Sequence, residues 1–121
     1  MQFTAKHISF QEIEDAFVFA LGDKPGLAGE EQPDVYVIIQ FGDEEDQDRT
    51  LGLTGLHIET SHGESDGYGK VRHIAYDGRT VSISLTDSTC AIEAIVDTEM
   101  MSNDAIDEAV RQCNRANETR P

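Results

Sequence analysis

The sequence predicts an α+β domain, a mainly antiparallel β-sheet with a C-terminal α-helix packed on one face, and three observations carry that expectation. Apolar and polar residues alternate with period two through the first three quarters of the chain. Asp77-Gly78 separates two alternating runs, and this pair favours a tight hairpin turn because both residues can take positive φ. Beyond Ser102 the apolar spacing becomes helical. Strands followed by one terminal helix is the order of an α+β domain. A chain of 121 residues suffices for one core and is too short for two. Residues 1–121 are therefore read as a single domain, with 114–121 as a frayed polar tail.

Residues 2–9 read as a first strand, followed by a turn-like polar stretch. Residues 16–21 (AFVFAL) are apolar on both faces, as a central strand requires. Gly22, Pro25, Gly26, Gly29 and Pro33 mark 22–33 as a loop. In 34–41 (DVYVIIQF), Val35, Val37, Ile39 and Phe41 share one face, and an acidic run then interrupts the pattern. A short strand is centred on 56–59, and a glycine-rich loop covers 61–69. The hairpin arms are 71–76 and 80–86. In the second arm Val81, Ile83 and Leu85 face the core, while Thr80, Ser82, Ser84 and Thr86 face water, the mark of a sheet with one wet side. Residues 90–97 read as a strand, with Cys90, Ile92, Ala94 and Val96 on one side. Ser102 or Asn103 caps a helix starting near Asp104, where Asp104, Asp107 and Glu108 suit the positive helix end. Ile106, Ala109, Val110 and Cys113 form its apolar stripe.

The charge excludes whole classes of partner. With 24 acidic and 9 basic side chains the net charge is −15, which repels phosphate backbones and anionic membrane surfaces. No nucleic-acid or membrane partner is expected. Residues 1–10 lack the apolar core of a signal peptide. The longest apolar run, 16–21, falls far short of the roughly 20 residues a membrane helix needs. Cys90 and Cys113 are read as reduced thiols, and the expected location is cytoplasmic. An unpaired strand edge leaves a homodimer open.

Catalytic constellations fail on spacing. His57 and His62 lie near Glu59, Glu64 and Asp66, so the region from His57 to Asp66 is the alternative reading, a metal- or small-molecule-binding site. The histidine spacing fits no recognised zinc pattern. His7 and His73 stand at strand positions. The stretch 63–71 (GESDGYGKV) has five residues between its glycines where a P-loop has four, and Val71 replaces the hydroxyl that would hold magnesium. The acidic run starting at Asp43 has Asp48 and Thr54 where a calcium loop needs glycine and glutamate. No nucleophile motif is present. The expectation is a protein that is not an enzyme, with no cofactor and no metal.

The acidic run itself remains. Asp43, Glu44, Glu45, Asp46 and Asp48 place five acids in six residues, a docking patch for lysines and arginines of another protein. Residues 23–48 hold nine acids against Lys24 alone. With no tryptophan in the chain, Tyr36 and Tyr68 are the expected aromatic anchors of an interface.

The order of segments resembles the polymorphic-toxin immunity proteins, specifically family ten of that series. The carrying stretches are YVIIQF at 36–41, DEEDQDRTLGL at 43–53, HIET at 57–60, SDGYGKV at 65–71, SISLTD at 82–87 and IVD at 95–97. The chain departs from the family pattern at Lys70 and Val71 and at Leu56. The resemblance implies a bacterial cytoplasmic protein that binds and neutralises a cognate toxin, with no catalytic residues and no cofactor. Together with the charge it suggests an acidic surface steering toward, or covering, a basic toxin cleft such as that of a nuclease.

Overall fold

The computed structural model describes residues 1–13, 16–24, 33–42, 56–61, 66–86 and 91–118. Along these run β1 (Gln2–Ala5), β2 (His7–Ile13), β3 (Ala16–Gly22), β4 (Tyr36–Gly42), β5 (His57–Thr60), β6 (Gly67–Tyr68), β7 (Val71–Tyr76), β8 (Thr80–Leu85), β9 (Ala91–Val96) and α1 (Asn103–Glu118). The class is α+β, with the strands in two sheets rather than one, ordered β1-β9-β8-β7 and β2-β3-β4-β5-β6. Neighbours are antiparallel except β1 and β9, which run parallel.

The expected first strand divides at Lys6 because its apolar phase slips there. Phe3 and Ala5 are buried beside β9, and the next buried residue is Ile8, opposite Leu21 in β3. Odd positions point inward before Lys6 and even positions after it, so one uninterrupted pleat cannot bury both sets. The chain thus leaves one sheet for the other. Lys6 donates to Gly22 O from its backbone, and its side chain pairs with Asp97. The polar stretch after residue 9 is strand rather than turn. Gln11, Glu12 and Ile13 pair with Val18, Phe17 and Ala16 while remaining exposed.

Residues from both sheets and the helix meet in one core. Phe19, Leu21, Val37, Ile39 and Ile58 contribute from the five-stranded sheet, and Val71, Ile74, Val81, Ile83 and Ile92 from the four-stranded one. β3 lies between β2 and β4, as its two-sided apolar sequence requires. The 90–97 stretch is strand β9, and Cys90 lies outside the described residues.

The hairpin turn is Asp77-Gly78-Arg79, with Gly78 at φ 95°, a backbone angle glycine adopts without steric cost. Asp77 Oδ1 accepts from the backbone N–H groups of Arg79 (2.9 Å) and Thr80 (2.7 Å). The Thr80 bond and then the Arg79 bond hold the Asp77 carboxyl below its usual value. A depressed folded-state pKa contributes stability that is present above the unfolded value and lost as pH falls through the folded one. Asp77→Ala should therefore lower Tm at neutral pH, and the gap to wild type should narrow as pH falls below about 4. Thermal melts across that range check this; a gap constant with pH would remove the carboxylate charge from the explanation.

The helix begins as its sequence predicts. Ser102 Oγ accepts the Ala105 N–H at 3.1 Å, and Ser102 O accepts from Ile106. Ile106, Ala109, Val110 and Cys113 are buried, and desolvation pushes the Cys113 thiol up to about 12. The expectation of a tail from residue 114 gives way to helix as far as Glu118. Its cause lies at β7, an edge strand of its sheet. Asn114 Oδ1 accepts the Ile74 N–H at 3.0 Å, while its Nδ2 donates to Ile74 O at 2.7 Å. Asn117 Nδ2 donates to Val71 O and Arg72 O. The helix thus closes a sheet edge that would otherwise present unpaired backbone groups. Residues 119–121 lie outside the described residues, and among the described residues no helix is long and apolar enough to cross a membrane.

Candidate binding surface

Strand alternation divides the side chains of the five-stranded sheet between two faces. Ile8, Phe10, Phe17, Phe19, Val37, Ile39, Phe41 and Ile58 stand on the face toward the core. Ile13, Val18, Ala20, Tyr36, Ile38, Gln40, His57 and Glu59 stand on the other.

Tyr36 opens β4 opposite Gly22. Its backbone N–H donates to Ser61 Oγ at 3.2 Å, and its carbonyl accepts the Ser61 N–H at 3.1 Å. Hydrogen bonding to the Glu59 carboxylate raises the Tyr36 phenol above its ordinary value, and desolvation and the charges of Glu59 and Asp66 push the same way. The phenol is therefore neutral at physiological pH. Asp66 Oδ1 accepts from the backbone N–H of Thr60 at 2.8 Å and from its hydroxyl at 3.2 Å. This carboxylate satisfies a buried threonine rather than pointing into a site.

Tyr68 belongs to β6, where Gly67 at φ 128° shapes the approach. It is 39% exposed, and its ring meets His57 edge-on at 4.9 Å between centroids, with 67° between planes. The row running across the sheet there is Gln11, Val18, Gln40, His57 and Tyr68. Among the described residues no three His, Cys, Asp or Glu side chains converge as metal ligands do. His62 and Glu64, the remaining members of the metal reading, lie outside the described residues.

Of Asp43, Glu44, Glu45, Asp46, Asp48, Tyr36 and Tyr68, the structure describes the two tyrosines. The five acids lie outside the described residues, and the last described residue before them, Gly42, stands opposite Ala16. Tyr36 stands at the other end of β4, about 20 Å away for an extended strand of this length. Tyr68 lies level with Gln40, nearer the Gly42 end. At the Tyr36 end Asp23 Oδ1 accepts the Asp34 N–H at 3.0 Å, and Lys24 pairs with Asp34 at 3.3 Å.

Near Gly42 the structure assembles a feature that sequence reasoning missed. The Phe10 and Phe17 rings are 5.6 Å apart and nearly parallel, Phe17 and Phe41 are 5.1 Å apart, and Phe10 and Phe41 are 6.3 Å apart. All three are partly exposed, whereas Phe19, edge-on to Phe10 at 6.1 Å, is fully buried. Three phenylalanines are visible in the sequence, but only the strand register brings them together.

These observations define a small α+β protein whose five-stranded sheet displays aromatic side chains on both faces. The immunity protein 10 family model matches residues 4–109. The chain belongs to that family, and so to a class of proteins that neutralise toxins. No curated protein matches it.

Proposed function

We propose that this chain is a cytoplasmic immunity protein that binds and neutralises a cognate bacterial polymorphic toxin without catalysis. Membership of the immunity protein 10 family over residues 4–109 carries the reading. The net charge of −15 supports a basic counter-surface, and a nuclease cleft built to hold phosphates has that character. Asp43, Glu44, Glu45, Asp46 and Asp48 act as the steering patch, because rim charges accelerate encounter more than they strengthen the final complex. Tyr36 and Tyr68 present large amphipathic rings of the kind enriched at interface hot spots.

This reading expects a toxic domain encoded beside the gene, and the test uses that domain. Replacing the five acids by their amides should slow association roughly tenfold at low salt and flatten its salt dependence, with Tm preserved. Stopped-flow rates at several ionic strengths measure both. An unchanged rate at low salt rejects this patch as the steering surface. Absence of any complex rejects the toxin-binding reading itself.

A further inference from the structure

The end of the five-stranded sheet where β2 passes into β3 combines two properties. One is a cluster of large apolar side chains left partly open. Phe10, Phe17 and Phe41 pack together on one face of this tip, and Ile13, 50% exposed, stands on the other. Phe10 and Phe41 lean on the core while Phe17 sits beyond it. The second property is charge of one sign. Glu12 is exposed and stands opposite Phe17. Residues 12–15 and 43–48, which adjoin the tip in sequence, contain eight acids and no lysine or arginine.

An aromatic centre with Glu12 at its side and acid-rich sequence on its flanks has the composition of a protein interface, where apolar contact supplies desolvation energy and charge supplies orientation. Partly exposed phenylalanine rings also accept guanidinium and ammonium groups on their faces. The matching surface has the opposite charge around an apolar contact. We propose that the β2–β3 tip anchors the toxin interface, with Phe17, Phe10 and Phe41 as its aromatic centre, and that it takes a protein surface presenting an apolar side chain framed by lysines or arginines. This rests on the toxin-binding reading and adds the anchor to it.

Binding of the same toxic domain tests the anchor. Phe17→Ala should raise Kd at least 30-fold, mainly through faster dissociation, and Glu12→Lys, an exposed change, at least tenfold with Tm unaltered. Hydrogen exchange on the wild-type chain provides a measurement that depends on no variant: binding should protect amides at 10–13, 16–18 and 41–42. Kd values within twofold of wild type for both variants, or protection confined to 57–60 and 67–68, overturn the anchor and leave the toxin-binding reading standing. A free protein that is dimeric, and that Glu12→Lys makes monomeric, assigns the tip to a second copy and also overturns it. If the wild-type chain does not bind the toxic domain, both fail together.

Discussion

Phe19→Ala should lower the unfolding free energy by about 3–5 kcal/mol, the range for deleting a fully buried phenylalanine. Phe19 has no exposed surface and sits in β3, with Phe10 opposite on one side and Ile39 on the other. Its neighbours are held by strand pairing on both sides, so they can collapse little into the vacated space, and the cavity adds to the lost burial. Domains of this kind are stable by about 5–15 kcal/mol in all, so the variant should stand near the edge of unfolding at 37 °C. Urea melts should show a lower midpoint with a similar slope. A loss below about 1 kcal/mol would remove Phe19 from the core. Comparison with Phe17→Ala separates two roles of one residue type two positions apart. Phe17 is partly exposed and should cost less stability while costing more affinity.

Asn114→Ala should cost about 1–3 kcal/mol, because it leaves a backbone donor and a backbone acceptor of the buried residue Ile74 without partners at the edge of β7. The amide of asparagine matches that edge in a way few side chains can. It carries an acceptor and a donor side by side, as the next strand of a ladder would. Ordinary helix packing would survive the change, since Ile106, Ala109, Val110 and Cys113 are untouched. The damage should therefore be local as well as global. Exchange of the Ile74 amide with deuterium should accelerate more than that of Ile83, its partner in β8. Equal acceleration at both would show that Asn114 contributes only to overall stability.

Much of the architecture is legible wherever a single period persists. The β8 arm alternates without a break, and Val81, Ile83 and Leu85 are buried while Thr80, Ser82 and Ser84 are only partly covered. The stripe on α1 and the Ser102 cap follow from spacing and side-chain chemistry alone. The division at Lys6 was also present as a change of phase between Ala5 and Ile8. In sequence it reads as one strand because both halves are extended and only the facing of the side chains differs. The helix end reads short in sequence because Asn114 and Asn117 look like solvent-facing polar residues until β7 lies beside them.

The candidate surface was less legible, for a related reason. The acidic run and the two tyrosines are local features, and local features do not say which end of a strand they occupy relative to one another. Pairing places Tyr36 beside Gly22, and Gly42, at the far end of the same strand, beside Ala16. The same pairing joins Phe10, Phe17 and Phe41, which are far apart in sequence. Charge, period and caps are properties of neighbouring residues, so the amino-acid order alone establishes the α+β class, the terminal helix, the Asp77 turn and the excess of acid. The split into two sheets, the closure of the β7 edge and the aromatic tip depend on the register between distant strands. Register is set by mutual burial of their apolar faces, and that exists only once the chain has folded.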